Sequence, residues 1–418
     1  MTEGTSASQL HRRLFATGVL LGIVAEQMVL FAVPLLIFQD TDEVASLGLA
    51  YAVEWLPALL AYPFAGLLAD RDGGARLFSL VTSGRGVVLG AALVGCLAAP
   101  ELLTPILMAT GALLSLLMAP VRMSVEKVVP QLAKGTELPK VQGLVQSMEV
   151  SAMAVGPALA MLGVAFIDKV WLLGGAAAIF LAAAACWLPL PRGVRTPSEG
   201  GAKEILAELR LGWSLLIGSR PLVLLASVNF SINFVFATVL AANAALVTGV
   251  FKAPESSFAL LNICVGVLGI VNLLAIPFVL KHVEVRVLGV FGLALLCGCL
   301  LLIGVAPSMA VYAPAFVAAM VGVTYFNVFN RTQRIKVLPE EHLGKVMGPF
   351  YLLNMLALPF AGLLVAGSGS QLGPQRLVLV LAAALTVFGA IMLPLTIRAF
   401  GRAIAAREKT LVGTNAEQ

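Results

Sequence analysis

The chain has 418 residues, of which 60% are hydrophobic and 12% charged, with a net charge of +5. A soluble domain carries about 25% charged residues, so this composition excludes an ordinary soluble enzyme or binding module and indicates a membrane protein. The positive balance is explained by loops that meet anionic headgroups, and a nucleic-acid partner is not needed.

A helix crosses a bilayer with about 20 mostly apolar residues. Twelve such stretches are predicted, at about 14–38, 45–69, 77–98, 102–122, 144–165, 170–190, 221–248, 257–280, 286–306, 309–329, 346–368 and 374–399. Short basic loops stay in the cytoplasm. With both termini inside, all but Lys169, Lys252 and Arg376 of the 27 Lys and Arg fall on the cytoplasmic side. The first apolar run is too long for a signal h-region and is expected to remain as span 1. The expected location is the cytoplasmic (inner) membrane, multi-pass, with both termini cytoplasmic.

Span 1 carries Glu26 near its middle. A charge at the bilayer centre costs roughly 2.5 to 3.5 kcal/mol, so Glu26, Glu54 and Glu149 together cost about 9 kcal/mol if idle. That is comparable to a typical folding stability of about 5–15 kcal/mol. Protonation or pairing with a cation relieves the cost, and either suits a carrier in which proton and substrate compete for an acid. Gln27 lies about 100° around the helix from Glu26 and is expected to hydrogen-bond a neighbouring helix. In span 2, Glu54 lies about 13 Å from the outer end, at mid-membrane depth. Tyr51, Trp55 and Tyr62 around it either stack on a flat or cationic ligand or serve as packing aromatics.

The loop GLLADRDGGAR, residues 66–76, joins spans 2 and 3. It resembles the signature of the major facilitator superfamily, G-x-x-x-D-R-x-G-x-x-R, with Gly66, Asp70, Arg71, Gly73 and Arg76 in the matching positions; Gly74 and Ala75 stand where the family often has further basic residues. The resemblance implies two six-helix bundles, an all-α membrane fold, and transport by alternating access, with this loop gating the cytoplasmic side. Residues 33–71, and MAPVRMSVEKVVPQL at 118–132, resemble more narrowly the branch of macrolide-efflux and siderophore-export carriers.

Arg85 of span 3 and Arg122 at the end of span 4 are candidate charge partners for the acids, with Glu149, near the cytoplasmic end of span 5, within reach of either. Span 5 continues through Gly156 and Pro157. The stretch GLVQSMEVSAMAVGPALA, residues 143–160, is similar to the antiporter motif of superfamily exporters, with Ala152 and Ala160 in place of glycines and Met161 departing from it. Proline removes a backbone hydrogen bond and is expected to bend the helix.

Residues 191–220 form the longest polar stretch and divide the chain into an N-terminal bundle at 1–190 and a C-terminal bundle at 221–400, followed by a tail at 401–418. RMSVEKVVP (122–130) in the first half is echoed by RTQRIKVLP (331–339) in the second: Arg122, Lys127 and Pro130 recur as Arg331, Lys336 and Pro339. The echo favours duplication, and repeated six-helix halves are a transporter architecture.

The second half has no acid within its spans. Asn229 and Asn233, one turn apart on span 7, either contact a polar substrate or hydrogen-bond a neighbouring helix. Tyr325 of span 10 is a further candidate for the substrate cavity. The three histidines (His11, His282 and His342) are far apart in sequence, so no metal site is expected. The five cysteines lie in apolar runs, and no phosphate-binding loop occurs, so neither cofactor nor ATP hydrolysis is expected.

The resulting expectation is a proton-coupled exporter of a small molecule, a siderophore or a hydrophobic drug-like compound, with multidrug resistance as a phenotype. Its partners are the substrate, protons and membrane lipid, and a monomer is favoured. A proton symporter for uptake, a lysophospholipid flippase and a non-transporting membrane scaffold remain open.

Overall fold

The computed structural model describes residues 3–41, 44–135, 137–191 and 202–416, with side chains described for most of them. Among these residues the chain forms helices only. In order they are α1 (Glu3–Thr41), α2 (Val44–Asp72), α3 (Ala75–Ala98), α4 (Leu103–Leu132), α5 (Glu137–Phe166), α6 (Trp171–Trp187), α7 (Ala202–Gly218), α8 (Arg220–Ala244), α9 (Glu255–His282), α10 (Val285–Val305), α11 (Met309–Val337), α12 (Leu343–Met355), α13 (Ala357–Leu372) and α14 (Pro374–Ala416). Each of the twelve predicted spans coincides with a helix, the eleventh with the pair α12 and α13. Among the described residues nine helices are long and apolar enough to cross a bilayer, or ten when a helix bent by 48° is included. That bend falls in α9 one turn ahead of Pro277, where the missing N–H and the proline ring disrupt the helix. Trp171–Trp187 is a shorter apolar helix. The protein is an all-α membrane protein.

The polar divide at 191–220 contains an element that hydropathy did not signal. α7 places Glu204, Glu208 and Gly212 one turn apart on one face.

The chain forms two compact units: residues 1–135, 148–212 and 341–349 make the first, and 136–147, 213–340 and 350–418 the second. The first unit is held by an apolar core in which Ala25 and Val29 of α1 meet Leu89 and Leu93 of α3 and Phe180 of α6. In the same unit Trp187 stacks on Phe78 with ring centroids 3.7 Å apart, and its indole N–H donates to the Phe15 carbonyl at 3.2 Å. In the second unit α10 and α11 touch backbone to backbone. A Cβ on Gly322 would lie 2.7 Å from the Gly292 carbonyl oxygen, so the small residues set the helix spacing.

Candidate functional site

Two groups of polar residues stand out in the first unit. The outer one is built on the turn between α2 and α3. Gly73 and Gly74 have φ of 82° and 96°, which glycine adopts at no steric cost, and the chain reverses there within two residues. Asp70 is thereby held at the end of α2 with its carboxylate on the start of α12. Asp70 Oδ1 accepts from the Gly344 N–H at 2.8 Å, and Oδ2 accepts from the Lys345 N–H at 2.6 Å. These N–H groups belong to the first turn of α12, where they have no intrahelical acceptor and the helix dipole favours an anion. Lys127 Nζ of α4 adds a charged bond to Oδ1 at 2.7 Å. Burial lifts the Asp70 carboxyl above its ordinary range, while Lys127 and the two backbone N–H groups pull it back down.

The close approach depends on glycine at two positions. A Cβ on Gly66 would overlap the Gly344 carbonyl oxygen, and a Cβ on Gly344 would overlap the Gly66 carbonyl oxygen. α2 and the start of α12 are therefore in direct backbone contact.

Glu208 of α7 lies beside this contact. It accepts from the Arg71 guanidinium and from Lys345 Nζ, the latter at 2.9 Å. Burial alone would raise Glu208, but the donors from Lys345 and Arg71 outweigh it and hold its carboxyl below the usual glutamate range. Arg76, the last residue of the signature, is exposed and has no ion pair among the described residues.

The inner group is centred on Glu26 of α1, which is 7% exposed. Arg85 Nη1 of α3 donates to Glu26 Oε2 at 2.9 Å, and Arg122 Nη2 of α4 lies 3.6 Å from Oε1. The Arg85 guanidinium also sits over the Phe180 ring, 4.3 Å from its centroid, and its Nε has no hydrogen-bond partner. One carboxylate thus faces guanidiniums from two other helices. Next to it, Gly156 of α5 backs directly on Gln27: a Cβ at 156 would lie 3.0 Å from the Met28 nitrogen and overlap the Gln27 Cβ. Gln27 makes no hydrogen bond among the described residues, so its predicted interhelical bond gives way to packing. α5 runs unbroken through Pro157. Glu149 lies half-buried on the same helix. The side chains of Tyr51, Glu54 and Trp55 lie outside the described residues.

In the second unit Asn229 and Asn233 both meet α12. Asn330 Nδ2 donates to Asn229 Oδ1, and Asn229 Nδ2 donates to Asn354 Oδ1, each at 2.7 Å. Asn233 Nδ2 approaches the Asn354 carbonyl at 3.5 Å, next to the break between α12 and α13. The Tyr325 ring packs 6.1 Å from Phe291, against the cluster of Ile276, Leu288 and Val328.

Residues 15–362 match the sequence profile described as Major Facilitator Superfamily. The chain belongs to that superfamily. Membership makes it a secondary transporter and not an enzyme. No curated protein matches the sequence significantly. Among solved structures, this transporter is similar to the human organic anion transporter MFSD10 (TETRAN), with a TM-score of 0.74 at 18% identity over 92% of this chain and 99% of that one. A bacterial homologue of the iron transporter ferroportin in an outward-facing state gives 0.74 at 15% identity, covering 94% and 99%. The proton:xylose symporter XylE gives 0.71 at 12% identity, covering 92% and 95%. At these identities the likeness is one of fold.

Sequence reasoning missed Glu208 and Lys345. For Glu208 a signal existed, since Glu204, Glu208 and Gly212 recur every fourth residue. Nothing local marks Lys345, whose role depends on a partner 137 residues away.

Proposed function

We propose that this transporter exports a small molecule from the cytoplasm in exchange for protons, with Glu26 as the coupling residue. The observation that carries the proposal is a buried carboxylate held by arginines from two other helices. Adding a proton to Glu26 removes the charge that holds Arg85 and Arg122, so the protonation state of one group governs the packing of α1, α3 and α4. In the exchange cycle Glu26, with Glu54, takes up a proton from outside as substrate leaves; proton release inside restores substrate affinity.

Asp70 acts as the gate on the cytoplasmic side, where the distribution of Lys and Arg puts the α2–α3 loop. Opening that end withdraws the carboxylate from the first N–H groups of α12, while Glu208 tethers Arg71 and Lys345 in the closed form. Proton coupling on this fold has a precedent in the proton:xylose symporter. The resemblance of residues 33–71 and 118–132 to macrolide-efflux and siderophore-export carriers supports a siderophore or a hydrophobic drug as cargo, and the cytoplasmic membrane as the location.

Proteoliposomes carrying a trapped pH dye test the coupling. Siderophores and macrolides are presented to the wild type and to Glu26→Gln. Substrate-driven proton movement that disappears in the variant supports the proposal. Equal movement in both makes Glu26 structural, and proton flow in the same direction as substrate converts the exchanger to a symporter.

A further inference from the structure

α10 and α14 enclose a groove of about 500 Å³. Val290, Ala294 and Cys297 form one wall, and Gly389, Ala390 and Pro394 the other. Thr386 marks one end, but its hydroxyl is used on the Ala382 carbonyl at 2.7 Å, so the walls are apolar. Arg398 marks the other end. Twelve residues of α14 separate the two ends, about 18 Å at 1.5 Å per residue. One leaflet of a bilayer's hydrocarbon is about 15 Å, half of the full thickness. The groove opens on a surface where Val287, Phe291, Val387 and Ile391 are each more than half exposed, as expected for a lipid-facing wall.

A second hollow of about 410 Å³ shares Arg398 as a lining residue and adds Arg220, the first residue of α8, and Arg402, one turn further along α14. Arg286 stands close by, its guanidinium 3.8 Å from where a Cβ on Gly401 would lie. All four arginines are exposed, and none has an ion pair or hydrogen bond among the described residues. Among the described residues no carboxylate lines the hollow. Guanidiniums gathered without a counter-ion favour an anion, and their planar fork matches phosphate oxygens. An apolar groove one leaflet long, running into such a cluster, fits a molecule that is hydrocarbon at one end and phosphate at the other.

We infer that the two hollows form one binding site for an anionic phospholipid of the phosphatidylglycerol class. Its phosphate lies on Arg220, Arg398 and Arg402, and one acyl chain fills the groove between α10 and α14. Basic pockets between transmembrane helices recognise anionic headgroups in this way.

Native mass spectrometry of the full chain in detergent tests the site, with phosphatidylglycerol and phosphatidylethanolamine added in turn. The wild type is expected to retain one phosphatidylglycerol in preference to phosphatidylethanolamine. The variant R220Q/R398Q/R402Q should retain it at least tenfold less, as should Ala294→Phe, which fills the groove and leaves the arginines intact. The charge-matched control R13Q/K203Q/K281Q should bind as the wild type does. Equal retention of the two lipids, equal loss in the control, unchanged binding in R220Q/R398Q/R402Q, or displacement by inorganic phosphate would each overturn the assignment. The arginine variants alter exposed side chains, so the test does not depend on whether Ala294→Phe folds.

Discussion

Glu26→Gln preserves side-chain size and removes one charge. Arg85, 3% exposed, is then left with the Phe180 ring at 4.3 Å and no carboxylate among the described residues. Stranding a buried charge costs about 3–5 kcal/mol. A Coulomb estimate agrees, since unit charges 4 Å apart at an effective dielectric of 20 interact by about 4 kcal/mol. Arg85→Met is milder, because Glu26 keeps Arg122 at 3.6 Å. Losing one hydrogen bond to a charged group costs about 1.5–3 kcal/mol. In the double variant neither charge of the pair remains, and a buried pair replaced by neutral groups of similar volume is often near neutral. The double variant should therefore be more stable than Glu26→Gln alone, with a coupling of about 2 kcal/mol or more. Denaturant unfolding of the four purified proteins in one detergent measures the cycle. If the double variant loses the sum of the two single losses, or Glu26→Gln loses nothing, the ion pair does not organise the core of the first unit.

Four further outcomes rest on other contacts of the structure. Gly344→Ala forces a Cβ into the Gly66 carbonyl and to 2.9 Å from Asp70 Cγ, so overpacking of about 1–3 kcal/mol and loss of flux are expected. Gly90→Ala, with nothing within 4 Å, should leave flux unchanged and should not lower the melting temperature, since alanine is the better helix former by about 1 kcal/mol. Glu208 has a lowered carboxyl, so its stabilisation is present above the ordinary glutamate value of about 4.3 and is lost as pH falls through the lowered one. Glu208→Gln should cost about 1 kcal/mol at pH 7, and its melting curve should merge with the wild type in acid; a gap that stays constant with pH would refute this. Asn229→Leu leaves Asn330 Nδ2 and Asn354 Oδ1 without their bonds, and a loss of about 1–2 kcal/mol in unfolding experiments is expected. An unchanged midpoint would show that the asparagine ladder carries no stability.

Hydropathy by itself located the spans, because a bilayer accepts only apolar segments with their backbone hydrogen bonds satisfied internally, and each of the twelve predicted spans falls on a helix. The glycines and acid of the α2–α3 turn were also legible, since a tight turn and a backbone contact restrict those positions to few residue types. What the tertiary structure decided was partnership. Which base meets Glu26 depends on how α1, α3 and α4 are rotated about their axes, and hydropathy does not report rotation in helices that are apolar on every face. The partner of Asp70 is a pair of backbone N–H groups 274 and 275 residues away, and backbone atoms leave no mark in sequence. α7 escaped notice because a short amphipathic helix owes its stability to what it packs against.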